Sequence, residues 1–487
     1  LNKSLFKNTI YKSILSFVNI VVPLLIGPYI VKLLDVELYG IYNTVFAEFQ
    51  VFLVFASFGL YTYGVREISK IRNDKEKVSK LFSNLFAISI ISNILVCIIY
   101  FIYAFFTSNG ITLALYCVMM IQILGNVFYV EFVNEALENY KFITIKTVIV
   151  KILYLIAILL LIKKPDDIVI YAVIVSLVVF INNIISFIYA KKHIKFDLKK
   201  VELRKYIAPL TTILIISNID LLYSQLDRVV LGKFAGGVAV SVYYIPYYII
   251  STLAAIPYSI INVSIPRLSY IAANETKEGY EISLNKIISS LMFIIIPMCM
   301  GVFALANEVI YIYAGEKYMA CVSVLMISCV VRILLSIESV LTNLVMYPNN
   351  QERKLLKFTL SCGILNLVLN LCLVYFKILS PFASMITTII VEVILILLEY
   401  RYIRKKLNIK PKFISKQNLL YLGLSLLFIP IAFIIKKIDY GFYLNICIII
   451  TLCILLYVGV LYLIKDDNLK LIIEKIFGIF RRRKKNG

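Results

Sequence analysis

Residues 223–237 read YSQLDRVVLGKFAGG and set an acid beside a base, Asp227 and Arg228, next to an otherwise apolar stretch. Upstream, Ser217, Asp220, Ser224 and Asp227 recur at three- or four-residue spacing, which on a helix aligns them on one face. Arg228 flanks that face, about 80° around from Asp220 and roughly 12 Å further along the axis. An arginine offers a planar fork of N–H donors suited to phosphate oxygens. A neighbouring carboxylate neutralises that cation or accepts from hydroxyl groups. A polar stripe on an apolar helix belongs against protein or water, not lipid. Near a helix end the same pair would also serve as a headgroup anchor, so both roles stay open.

Other ionisable residues interrupt apolar runs: Lys32, Lys151 and Arg332 among the bases, Glu48, Glu338 and Glu392 among the acids. Charge is costly in hydrocarbon, so each is a functional candidate. Lys32, Glu48 and Tyr243, whose ring could stack on sugar, join Asp220, Ser224, Asp227 and Arg228 as candidates for lining a cavity. Arg332 and Lys151 fall near the middle of their runs, as coupling residues or as partners of a buried ion pair with Glu338 or Glu392. The segment YVEFVNEALENY puts Glu131, Asn134, Glu135 and Glu138 on one face, as a solvated helix end or a proton or sodium relay. Asn366 and Asn370, four apart, suit hydrogen bonds between helices. The one histidine, His193, sits in the Lys-rich AKKHIKFDLKK and reads as a loop residue. Nine cysteines without paired CxxC spacing give no disulfide framework, and no metal site is expected.

These residues need long elements to position them. Of 487 residues, 61% are hydrophobic and 16% charged, against about 25% charged in an ordinary soluble domain. Apolar runs near the length that crosses a bilayer recur throughout. Fourteen spans are expected near 13–34, 41–66, 81–106, 111–136, 143–162, 168–190, 207–231, 238–265, 287–314, 319–346, 358–377, 380–400, 419–436 and 442–464. The runs are continuous rather than alternating, which excludes a β-barrel. The first is too long for a signal-peptide core and reads as a span.

Lys and Arg concentrate in alternate loops, such as KKHIKFDLKKVELRK and RYIRKKLNIKPKFISK, and in the tail. This places both termini and the His193 segment in the cytoplasm. The net charge of +22 is therefore a topology signal and an attraction to anionic lipid, not a nucleic-acid footprint. Short external segments leave no room for a glycosyltransferase or polymerase site. No GxxxxGK[ST] motif accompanies the short internal loops, which excludes an ATP-driven pump on this chain. The tail NLKLIIEKIFGIFRRRKK has the pattern of a basic amphipathic helix lying on the inner surface.

A weak internal repeat runs through the chain. YIVKLLDVELYGIYN (29–43) and VVLGKFAGGVAVSVYY (229–244) align at an offset of 201: Lys32 with Lys233, Tyr42 with Tyr243. The same offset pairs Arg66 in YGVREISK with Arg267 in SIPRLSY. Both arginines end the second helix of their half, where phosphate capture and ordinary interfacial anchoring are the two readings. The halves are parallel repeats: an N-lobe over 1–206, a C-lobe over 207–418, two added helices over 419–464 and a tail over 465–487.

PLLIGPYIVKLLDVELYGIYN, FASFGLYTYGVREISKIRNDKEKVSKLFS, IDLLYSQLDRVVLGKFAGGVAVSVYYIPYYI and IINVSIPRLSY together carry a wider likeness. IIIPMCMGVFALANEVIYIYAGEKY and NNQERKLLKFTLSCGILNLVLN extend it. Over nearly its whole length the chain resembles the polysaccharide (Wzx-type) flippases of the MOP exporter superfamily. The resemblance implies an all-α polytopic membrane protein with two six-helix lobes around a cavity lined by helices 1, 2, 7 and 8. It implies movement of undecaprenyl-pyrophosphate-linked oligosaccharide from the inner to the outer leaflet of the cell membrane. With no nucleotide motif, a proton or sodium gradient or downhill removal of cargo outside is the expected drive, and no cofactor is expected. Membrane lipids and other polysaccharide-assembly proteins would be its partners. Lipid II flippases and multidrug antiporters share that fold.

Overall fold

The computed structural model describes residues 2–194, 201–471, 473 and 474. The side chains at 2–10, 12, 13, 193, 212, 215–224 and 273 fall outside that description, among them Ser217, Asp220, Ser224 and His193. Most of the expected amphipathic tail lies outside it too. Among the described residues every regular element is helical. Thirteen helices are long and apolar enough to cross a membrane. The expected seventh span is not one of the thirteen; it corresponds to a 31-residue helix, Arg204–Phe234, whose central side chains are not described.

Contacts sort the chain into two compact units: Leu1–Tyr244 with Asn370–Ser380, and Ile245–Leu369 with Pro381–Gly487. The first holds α1 (Asn2–Leu33), α2 (Val36–Ser57), α3 (Leu60–Ile71), α4 (Lys75–Thr107), α5 (Gly110–Asn126), α6 (Glu131–Ala136), α7 (Tyr140–Leu161), α8 (Ile168–His193) and α9 (Arg204–Phe234). The first turns of α10 (Gly237–Asn274) belong to it as well. The second holds the rest of α10, then α11 (Lys277–Ala304), α12 (Ala306–Ala314), α13 (Cys321–Val340), most of α14 (Glu352–Tyr375), α15 (Pro381–Tyr402), α16 (Lys416–Leu426), α17 (Phe428–Ile438) and α18 (Phe442–Leu463).

Polar caps extend the helices past their apolar runs. Asp35 accepts from the backbone N–H groups of Glu37 and Leu38 at 2.9 and 3.0 Å and starts α2. Asp74 accepts from the N–H of Lys77 at 3.1 Å, so α4 begins at Lys75 rather than near 81. That N–H and the Lys77 ammonium hold the Asp74 carboxyl below its ordinary range. His193 is the last residue of α8, not part of a loop, because the helix continues through the Lys pair.

Several expected single spans are broken. The second is α2 and α3, separated by Phe58 and Gly59 with φ of 46° and 70°. Only Gly adopts this left-handed region without cost. A Cβ at Gly59 would also stand 2.9 Å from the backbone N of Leu214 and 3.0 Å from the carbonyl O of Leu210. The fourth is α5 and α6, and the thirteenth is α16 and α17, which meet at Leu427.

At one end of the first unit the core forms around Phe82, Phe86, Val133 and Ile68. A buried ion pair lies at the same end. The Lys146 ammonium, its side chain 2% exposed, sits 2.9 Å from Glu131 Oε2, and Ser186 donates to the same carboxylate. Lys146 falls inside the expected span 143–162, yet sequence reading did not count it among the buried bases. Glu131 is therefore paired rather than solvated; its sequence neighbours Glu135 and Glu138 bond Tyr61 and Arg72. Lys146→Met strands the Glu131 carboxylate and is expected to cost about 3–5 kcal/mol, while adding Glu131→Leu recovers most of it. Thermal unfolding of the purified variants checks this; equal loss in both removes the pair from the account.

Candidate functional site

Small residues let α2 approach the junction of α9 and α10. A Cβ on Gly40 would lie 1.6 Å from the carbonyl oxygen of Gly237. A Cβ on Gly232 would lie 2.2 Å from Thr44 Cγ2. Ser241 donates to the Val36 carbonyl at 2.7 Å and fixes the register of the crossing. Close backbone approach of this kind is how apolar helices associate without a hydrophobic driving force between them.

Asp227 and Arg228 are both buried, 4% and 6% exposed, so neither is a solvent-facing anchor within this unit. Adjacent helix positions diverge by about 100°, and the two side chains take different partners. Asp227 Oδ2 accepts from the Tyr243 hydroxyl at 2.8 Å and Oδ1 from Asn370 Nδ2 at 3.0 Å. Arg228 donates from Nη2 to Gln225 and lies over the Tyr244 ring, 4.9 Å from its centroid. Arg228 makes no ion pair with Asp227, and its buried Nη1 has no hydrogen-bond partner among the described residues. A buried guanidinium with an unused donor is costly unless something else completes it. An anionic ligand oxygen would. Tyr244 in turn approaches Tyr39, with ring centroids 6.5 Å apart, and Tyr39 stacks with Tyr42 at 6.4 Å.

A second cluster occupies the end of this unit where α4 and α9 finish and α5 begins. Buried Glu48 accepts from the hydroxyls of Tyr103, at 2.8 Å, and Tyr116. Lys233 Nζ stands 3.3 Å from Glu48 Oε1 and donates to the Tyr103 hydroxyl at 2.8 Å. They line a cavity of about 160 Å³ with Thr44, Thr107 and Thr112. Hydroxyls, an ammonium and a carboxylate around a small opening can exchange hydrogen bonds with a polyol. Sequence reasoning picked Glu48 but not its partners. Lys233 was noticed only as a mark of the repeat, and Tyr103 and Tyr116 are lost among 35 tyrosines.

The remaining candidates fall elsewhere. Lys32 is exposed. Arg66 is exposed and pairs with its neighbour Glu67 at 2.8 Å, and Arg267 is exposed with no ion pair among the described residues. Lys151 is half-buried in α7. Among the described residues Arg332 has no ion pair, so the expected one with Glu338 or Glu392 is not found there. Arg332 donates to Ser251 and lies near the rings of Tyr247 and Tyr258, at 5.6 and 5.8 Å. A hydroxyl and two ring faces take the place of a carboxylate, while its buried Nε has no hydrogen-bond partner among the described residues. Glu338 instead accepts from Thr342, one turn away at 2.5 Å. Glu392 is fully buried.

Comparisons with known proteins bear on this fold. Along 97% of its length the chain superposes on 99% of a solved "Lipid II flippase MurJ, inward closed conformation", with a TM-score of 0.70 at 16% identity. An inward-facing multidrug resistance MATE family transporter of the MOP superfamily superposes over 80% of this chain and 98% of its own, with a TM-score of 0.58 at 12% identity. The architecture is thus that of MOP-superfamily transporters. In sequence, a "Putative O-antigen transporter" of Shigella dysenteriae is 21% identical over 399 residues, 80% of this chain and 98% of the relative. Its namesake in Escherichia coli (strain K12) is 24% identical over 376 residues, 75% and 89% of the two chains. Residues 5–272, more than half the chain, match the profile of the family described as "Polysaccharide biosynthesis protein", and the chain, a multi-pass membrane protein, belongs to that family.

Proposed function

We propose that this protein moves an undecaprenyl-pyrophosphate-linked oligosaccharide from the inner to the outer leaflet of the cell membrane, by alternating access of two helical lobes. The buried Arg228 guanidinium, which lies over the ring of Tyr244 and whose Nη1 has no hydrogen-bond partner among the described residues, carries this reading. A lipid pyrophosphate needs such a donor to cover its charge in a low-dielectric setting. Asp227, held by Tyr243 and Asn370, supplies an acceptor on the same helix and fixes one side of the site. The family membership and the transporter names of its relatives agree with this cargo class.

Transport in this proposal draws on a proton or sodium gradient or on removal of cargo outside. The termini and the end of α8 face the cytoplasm. Deleting the gene in a polysaccharide-producing host is expected to deplete surface polymer and accumulate lipid-linked oligosaccharide inside, with both reversed by the plasmid-borne chain. Normal polymer without accumulation overturns the proposal.

A further inference from the structure

A cavity of about 690 Å³ in the second unit is independent of the site above. It lies where α11 and α16 begin and α18 has ended, so three spans share that end and the cavity sits at a membrane–water boundary. Its floor is a closed polar network. Asn468, 8% exposed, accepts from Ser290 at 2.7 Å and donates to Ser289 and to the Tyr421 hydroxyl, both at 3.0 Å. Asp466 accepts from Tyr421 and Gln417, each at 2.8 Å, and holds the segment after α18 in place.

Around that floor stand Lys286, Lys412 and Lys470, all exposed and none in an ion pair among the described residues. Asp467 and Glu474 also face the opening, so the residues lining the cavity carry a net charge of +1, above the Asp466 carboxylate of the floor. Three cations so placed suit a single phosphodiester, and the acids among and beneath them disfavour a polyanion. Ile282 and Leu471, 59% and 53% exposed, line the same cavity and offer apolar surface beside the cationic rim.

The geometry points to a binding site for the headgroup of an anionic phospholipid. The phosphodiester lies among Lys286, Lys412 and Lys470, and the acyl chains lie along Ile282 and Leu471. Basic pockets at helix ends are a recurrent way to hold such lipids. A free phosphate would use the lysines but not the apolar rim.

Native mass spectrometry of the full-length purified protein with added phosphatidylglycerol or phosphatidylcholine tests this. The wild type is expected to retain phosphatidylglycerol preferentially, and Lys286→Ala/Lys412→Ala/Lys470→Ala to weaken it by roughly 100-fold. A charge-matched control, Lys75→Ala/Lys191→Ala/Lys192→Ala, is expected to keep it. Equal loss in the control, or equal retention of phosphatidylcholine, overturns the site. Competition by inorganic phosphate at concentrations matching the lipid assigns the pocket to a free anion and overturns the lipid assignment. Matched thermal transitions for wild type and both triple variants keep unfolding out of the comparison.

Discussion

Arg228→Ala is expected to abolish complementation of a flippase-deficient strain while the protein remains in the membrane at normal abundance. The guanidinium already has one partner in Gln225 and a ring face in Tyr244, so its removal leaves no charged group stranded. What is lost is the donor set available to cargo. Each charge-assisted hydrogen bond contributes about 1.5–3 kcal/mol, so the affinity for a pyrophosphate group falls at least about tenfold per bond lost. Arg228→Lys keeps the charge without the fork and is expected to recover only part of the activity. The companion variant is the double change Asp227→Asn with Arg228→Gln. If the two residues existed to neutralise each other, this pair would restore function. They take separate partners, so it is expected to stay inactive. Full transport by Arg228→Ala would remove this residue from the cargo site.

The second large effect is structural. Gly40→Ala is expected to lower membrane abundance and the unfolding temperature sharply, because the new methyl would sit 1.6 Å from the Gly237 carbonyl oxygen. A backbone atom on one helix cannot swing aside as a side chain can, so α2 must retreat from the junction of α9 and α10. That retreat breaks the Ser241 to Val36 bond and separates Glu48 from Lys233. Overpacking in a close-packed interior costs about 1–3 kcal/mol, and more where backbone meets backbone. Gly423→Ala and Gly459→Ala are the controls. Beyond the local backbone of its own helix, no described atom lies within 4 Å of a Cβ at either position, and each is inside a helix, where Ala is favoured by about 0.5–1 kcal/mol. A harmless Gly40→Ala would mean the crossing is looser than described.

Hydropathy made the spans legible because crossing a bilayer demands long apolar runs whatever else a helix does. It did not reveal their ends. Lys75–Lys80 is polar yet helical, since Asp74 caps it and water accepts its side chains. Nor did it reveal the break at Phe58, a bulky residue whose composition gives no turn signal. Within the site, the cost of burying Asp227 and Arg228 marked them from composition alone. Tyr243 was a cavity candidate and Asn370 an expected donor between helices, but nothing in the sequence assigned either to Asp227. Asn370 reaches Asp227 across 143 residues, and no periodicity encodes such a meeting. Lys146 was passed over although it lies in the same expected span, 143–162, as Lys151, and the Arg332 ion pair was expected because the affinity of a guanidinium for tyrosine faces leaves no spacing signature.

The break between α2 and α3 has a mechanical consequence. A continuous helix is a stiff rod, and a displacement at one tip is delivered to the other. With Phe58 and Gly59 in the left-handed region between the two helices, the second span is instead a jointed strut. The segment bearing Glu48 and the segment bearing Arg66 can tilt by different amounts, and strain imposed on one is absorbed at the joint before it reaches the other. Load between the two tips must then travel sideways, through Gly59 pressed against the backbone at Leu210 and Leu214. It is at α9, the helix of Asp227 and Arg228, that such a lateral force would be felt.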